Sequence, residues 1–155
     1  MGNSMEEAFK KAGYKKTENQ KTTAESARFH LEKDYTQQAE RIIKSLKESM
    51  GPKFKQFTTS KIRNILAMVN DVYNDVNLNK NEFLSPEIQR RIAYIKVRLV
   101  YECGREPEII RPFVKQAGLL DLLDSIGDNH RRFIDFANYM EALVAYHLFY
   151  GGKDN

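Results

Sequence analysis

The chain contains one cysteine, Cys103, no tryptophan and no long apolar run. A single thiol excludes an internal disulfide and a cysteine-built zinc site. No stretch approaches the roughly 20 apolar residues that cross a bilayer. The N-terminus lacks the apolar core of a secretion signal. Met1-Gly2-Asn3-Ser4-Met5-Glu6 misses the myristoylation pattern, because Glu6 stands where Ser or Thr is required. The expected location is cytoplasmic, with no membrane partner. Histidine is sparse as well. His30, His130 and His147 lie far apart and form neither an HExxH pair nor a ligand cluster. There is no glycine-rich phosphate loop. Asp75-Val76-Asn77-Leu78-Asn79 opens like a calcium loop, but Lys80 replaces the required Gly and Pro86 the required closing Glu. No catalytic residue, metal or cofactor is expected, and the chain reads as a non-enzyme.

What is present is helical pattern and charge. The 155 residues are 41% hydrophobic and 30% charged, with a net charge of +4. The isoelectric point near 9.1 biases the chain mildly toward anionic partners. Residues 1–33 are rich in Lys, Glu, Thr, Gln and Ser, with only Phe9, Tyr14 and Phe29 among them as aromatics. They read as a flexible polar arm that is dispensable for folding. A short helix around residues 5–12 would need a partner. Residues 34–155 read as one helical-bundle domain.

In that domain Tyr35, Ala39, Ile42, Ile43, Leu46 and Met50 recur at helical spacing, and Gly51-Pro52 stops the segment. Thr58-Thr59-Ser60 offer caps for a second helix, with Ile62, Ile65, Leu66, Val69, Val72, Tyr73 and Val76 as its stripe. Ser85 as N-cap and Pro86 at the first position start a third helix. It is expected to run to Cys103, with Gly104 supplying a left-handed closing residue. Pro107, Pro112 and Gly118 break residues 105–127 into short helices. A last helix runs from about Asn129 to Tyr150, capped by Asp128. The fold class is all-α, a compact bundle of five to six helices.

On the third helix, at about 100° per residue, Ile88, Ile92, Ile95, Leu99 and Cys103 share one arc. Arg91 and Arg98 share another face, and Arg105 continues their spacing. Tyr94 and Tyr101 lie beside them, and Arg90 flanks the set. A guanidinium fork donates two hydrogen bonds to a phosphate at once. A tyrosine adds stacking and a hydroxyl donor. The simpler reading is a solvated face with Glu87 and Glu102 as intrahelical salt-bridge partners. A second file, Arg132, Tyr139 and Tyr146, runs down the last helix and suits either RNA or a protein interface. Glu141 falls within the apolar arc of that helix. It reads as a general acid or, more simply, as a carboxylate paired with a neighbouring helix or subunit. A lone histidine on a helix reads as a surface or half-buried packing residue, and Cys103 reads as core.

Three segments carry a resemblance. They are Phe57-Thr58-Thr59-Ser60-Lys61-Ile62-Arg63-Asn64-Ile65-Leu66, the run from Tyr94 to Arg105, and Phe136 to His147 followed by Tyr150-Gly151-Gly152-Lys153. Together, and in this order, they resemble the small subunit of type III-A CRISPR effector complexes, the Csm complex. The resemblance spans roughly residues 35–153. It implies a helical bundle present in several copies, stacked along a filament of repeated backbone subunits that carries the guide RNA. It also implies contact with target RNA without reading sequence, a large subunit as a further partner, and no catalysis by the small subunit itself. On the matching blocks it places Arg63, Lys96 and Arg105 at basic positions, and Lys61, within the first block, joins them as an RNA-binding candidate. Arg91, Arg98, Tyr94, Tyr101 and Arg132 join the RNA-binding candidates on helical geometry. Lys96 falls near the apolar arc, so it either snorkels or meets a neighbouring subunit.

Two other readings stay open. A stand-alone DNA-binding regulator needs base-reading side chains at the start of a recognition helix, and Glu87-Ile88-Gln89 suits that poorly. A protein-only scaffold would use the tyrosines to bind helices and the arginines to pair with acidic neighbours. The missing acid–base and metal sets yield a first prediction. Purified protein incubated with labelled RNA, single-stranded DNA and ATP, with magnesium or manganese, leaves all three intact. Cleavage that copurifies with the chain and disappears on one of its point substitutions would contradict it.

Overall fold

Helix boundaries follow from local capping chemistry. In the computed structural model, which describes residues 28–79 and 81–155, Asp34 caps the first helix, α1 (Tyr35–Met50), by accepting from the Gln37 N–H at 3.3 Å. Gly51, at φ +57°, ends it. Two 3-10 turns, Gly51–Gln56 and Thr59–Ile62, lead into α2 (Arg63–Leu78). Ser85 caps α3 (Pro86–Arg105) through the Ile88 N–H at 3.2 Å, with Pro86 opening the helix as expected. Short helices α4 (Ile110–Gln116) and α5 (Leu119–Ile126) follow, then α6 (His130–Phe149). Among the described residues there are six α-helices and no strand. Among these residues the isolated bridges Thr58 to Lys153 and Phe83 to Asn129 alone pair backbone in the β manner. The fold is all-α.

Three local expectations are corrected. Gly104 is an ordinary helical residue without positive φ, and α3 runs on to Arg105. The helix stops there because Glu106 precedes Pro107, and a residue before proline is pushed out of the α region. The cap of α6 is Asn129, which accepts from the Arg132 N–H at 3.0 Å, and not Asp128. Thr58-Thr59-Ser60 open a 3-10 turn instead of capping α2. The N–H groups of Thr59 and Ser60 donate to the carbonyls of Lys153 and Asp154, at 3.1 and 2.9 Å, so the C-terminal residues cap this turn.

Packing centres on α6. Phe133, Phe136, Tyr139, Met140 and Leu143 are buried along it. Ala39, Ile43 and Leu46 of α1 meet it from one side, and α2 and α5 from others. Helices α2 and α3 lie antiparallel. Lys61 pairs with Glu106 at one end and Arg91 with Asp75 at the other, at 3.0 and 2.5 Å. The stripes expected for α1, α2 and α3 face the core, with Tyr35, Ile42, Leu66, Tyr73 and Ile88 only partly covered.

Residues 1–27, including the helix considered around residues 5–12, lie outside the described residues. Residues 28–33, read as part of the arm, are anchored to the bundle. The Phe29 ring sits on Gly118, 6.1 Å from the Tyr139 ring, and its N–H donates to Asp121 at 3.0 Å. Buried Gln38 ties the next turn down, donating to the His30 carbonyl and accepting from the Glu32 N–H. A side chain at Gly118 would collide with the Phe29 ring, and φ +66° there favours glycine as well. The missing side chain is what makes room for Phe29, a signal that composition alone does not carry.

His147 is fully buried, not half-exposed, between the rings of Phe54 and Phe57 at 5.3 and 4.5 Å. Its Nε2 faces the Phe57 carbonyl at 2.8 Å, so Nε2 carries the proton and donates. Burial pushes the ring's pKa below the ordinary 6.5, partly offset by the Phe57 carbonyl and Asp154. The unfolded histidine protonates near pH 6.5 and the folded one only lower. Between those values the unfolded state binds more protons, so stability rises with pH there. The melting temperature therefore falls as pH drops from 7.5 to 5.5, and His147→Gln, whose amide can still donate to Phe57, shows a smaller drop across that window. Equal pH dependence in the two proteins would contradict the assignment.

Candidate nucleic-acid interface

The outward half of α3 carries most of the candidate residues because its inward half is filled by Ile92, Ile95, Leu99 and Cys103. Tyr94 and Tyr101 are 56% and 53% exposed, large apolar rings held in solvent. The Arg98 guanidinium lies over the Tyr101 ring, 4.9 Å from its centroid, which fixes both side chains by a cation–π contact. Arg98 and Arg105 share one carboxylate, Glu102. Arg98 Nη2 is 3.8 Å from Oε1, and Arg105 Nε is 3.7 Å from Oε2. These separations give charge attraction without a hydrogen bond, and Glu102 Oε2 is buried with no partner of its own. Of the two expected intrahelical acids, Glu102 pairs, whereas Glu87 makes no ion pair with a described residue.

The other cations sort by flank. Arg91 leans toward α2 and pairs with Asp75 at 2.5 Å. Lys61 pairs with Glu106, which sets the start of α2, and with it exposed Arg63, beside the C-terminal end of α3. Arg63 makes no ion pair with a described residue. Arg91, Arg98 and Arg105 thus share the outward half of α3, and the start of α2, which holds Arg63, lies beside that helix's C-terminal end. Lys53 of the first 3-10 turn pairs with Glu108, just past the end of α3, at 2.8 Å. Sequence reading missed this pair, because its two residues lie 55 apart in the chain and leave no periodic signal.

Two candidates stand apart. Lys96 pairs with Asp124 of α5 at 2.5 Å, on the opposite flank of α3. Arg132 donates to the Ser125 carbonyl at 2.8 Å and so closes the last turn of α5. Both hold helices together. The Arg132, Tyr139, Tyr146 file is not a surface, because Tyr139 is fully buried and donates to the Ala117 carbonyl at 2.8 Å. Burial pushes its hydroxyl well above the ordinary 10.0. Glu141 is exposed, in a groove with Asn70, Tyr73 and Asn138 between α2 and α6, and meets no cation of the described residues. No group of three or more His, Cys, Asp or Glu suited to a metal occurs among the described residues.

With this geometry in place, comparison with known proteins is decisive. The family profile "Csm2 Type III-A" matches residues 32–153, which takes in all six helices. The chain belongs to the Csm2 family of type III-A CRISPR systems. Its relatives include the "CRISPR system Cms protein Csm2" of Mycobacterium tuberculosis, 34% identical over 127 residues, which is 80% of this chain and 97% of the relative. The protein of the same name from Streptococcus thermophilus is 34% identical over 123 residues, 79% of this chain and 96% of the relative. That of Enterococcus italicus is 38% identical over 99 residues, 63% of this chain and 70% of the relative. Csm2 is the small subunit of the Csm complex, the family that the three sequence blocks resemble. Among the described residues no helix is long and apolar enough to cross a membrane.

Glu102 sets the charge of the Csm2 face. Glu102→Gln removes the shared counter-charge but keeps the shape. Because Arg98 and Arg105 remain 30% and 56% exposed, water takes over their solvation and the stability loss stays near 1 kcal/mol. The variant should elute from heparin at higher salt than the parent. Unchanged elution with a large drop in melting temperature would make the Glu102 cluster purely structural.

Proposed function

We propose that this chain is a non-catalytic, RNA-contacting subunit of a cytoplasmic type III-A effector complex, stacked in several copies along the filament of repeated backbone subunits and meeting the large subunit. It holds target RNA paired with guide RNA by the phosphate backbone and reads no bases. The observation that carries this reading is the α3 face, where Arg91, Arg98 and Arg105 run beside exposed Tyr94 and Tyr101. Arg63 and Lys61 extend the row at one end. Each arginine but Arg63 has a carboxylate partner among the described residues, so binding RNA exchanges one anion for another. Such an exchange gives modest, salt-sensitive contacts that suit a sequence-blind track. Lys96 and Arg132 are secondary in this reading, since α5 already engages both.

The protein-only scaffold is the second reading, favoured by Val97 and Val100, which are 59% and 50% exposed on the same helix. Target-RNA affinity against salt separates the two. Complexes carrying Arg63→Ala, Arg91→Ala, Arg98→Ala and Arg105→Ala, singly and combined, are first checked for assembly. Each lost phosphate contact lowers the log–log salt slope by about 0.7 to 0.9, and affinity falls alike for every target matched to its guide. A quadruple variant that assembles and keeps both the parent affinity and the parent slope leaves the row a solvated face.

A further inference from the structure

Helix α2 has a groove on each of two sides. Met68 and Asp71 turn toward α3, where they line a groove with Arg91 and Tyr94. At about 100° per residue, Leu66, Asn70 and Tyr73 stand on the other side of α2, where they meet α6 in a second groove of about 340 Å³. A neighbour seated in that second groove lies across α2 from the arginine row of α3. RNA on the row therefore leaves it open.

This groove has an apolar floor and polar walls. Val69 and Met140 are buried beneath it, and Tyr73 is half-buried at its side. Glu141 stands exposed on the α6 wall, three residues after Asn138, with Asn70 facing from α2. Sequence reading gives Glu141 a structural partner on a neighbouring helix or subunit, and it makes no ion pair with a described residue. An uncompensated carboxylate repels phosphate and attracts a cation. An arginine side chain matches the whole surface. Its methylenes cover the floor, and its guanidinium meets a carboxylate through two parallel N–H bonds. The flat face of that group stacks on a tyrosine ring, and its remaining N–H groups suit the amide oxygens of Asn70 and Asn138. A lysine ammonium has no plane to offer Tyr73.

We infer that the groove between α2 and α6 receives an arginine of a neighbouring protein subunit, with Glu141 as its counter-charge and Tyr73 against its guanidinium. The donor is a subunit of different sequence. Most arginines of this chain are already engaged, Arg41, Arg91, Arg98, Arg105 and Arg131 with carboxylates and Arg132 with a carbonyl, so a second copy has few to offer. The contact rests on the reading of the chain as a subunit of an effector complex, and not on the RNA row of α3.

Complex reconstituted without this subunit is titrated with the purified full chain, and incorporation is read against concentration. Glu141→Gln raises the half-maximal concentration about tenfold, the scale of losing one charged anchor, and Glu141→Arg raises it further. Melting temperatures stay at the parent value, because Glu141 is exposed. Complexes fully loaded with either variant keep the parent's target-RNA affinity and salt slope, which separates this contact from the arginine row. Asn138 replaced by the photocrosslinker p-benzoylphenylalanine then reports what sits on the groove. The expected adduct lies on a subunit of different sequence, within a few residues of an arginine. Changing that arginine to Glu restores incorporation of Glu141→Arg. Parent-like incorporation of Glu141→Arg overturns the inference. So do adducts on RNA, on a second copy, within one chain or far from any arginine, and so does a fully loaded complex that yields no protein adduct.

Discussion

Two polar side chains buried on α6 reach backbone carbonyls at the two places where the neighbouring chain breaks out of helix. Tyr139 donates to Ala117, at the junction of α4 and α5, and His147 donates to Phe57, between the two 3-10 turns. A buried carbonyl left unpaired costs about 1–3 kcal/mol, so each junction is fixed relative to α6. The consequences spread outward from there. At the first junction Gly118 turns left-handed and receives Phe29, which ties the start of the described chain to the bundle. At the second, the chain turns into Thr59–Ile62, the C-terminal residues cap that turn, and α2 is launched with Lys61 and Arg63 at its head.

Placement of α2 in turn sets α3. The core holds the inner side of α3 through Ile92, Ile95 and Leu99, and ion pairs hold its flanks, Arg91 and Lys61 toward α2 and Lys96 toward α5. Such exposed pairs each contribute little stability, under about 1 kcal/mol. Their effect is orientation. They leave the outward half of the helix uncovered, with a basic row on one side and the exposed Val97 and Val100 on the other.

Much of this was legible in the sequence where one helix alone decides the matter. The stripes of α1, α2 and α3 obey a single period, and Ser85-Pro86 opens α3 by local chemistry. The family blocks pointed to Arg63 and Arg105, and helical spacing to Arg91 and Arg98. What escaped reading depends on contacts between distant segments. Tyr139 looked like part of a surface file because helical spacing cannot say which side another helix will cover. His147 is buried, and Phe29 half-buried, by partners 90 or more residues away. Gly104 has the composition of a helix stop, yet Pro107 decides the end. The candidate site divided along the same line, since Arg91, Arg98 and Arg105 stay together on one helix while Lys96 and Arg132 serve contacts with α5.

The account rests on α3 presenting its tyrosines and arginines to RNA, and a photocrosslink measures that contact directly. The assembled complex is bound to target RNA carrying 4-thiouridine, irradiated and digested, and adducts are located by mass spectrometry. The account predicts adducts on α3 peptides containing Tyr94 or Tyr101. A complex that binds its target fully and gives adducts on other subunits but none within Pro86–Arg105 would contradict it.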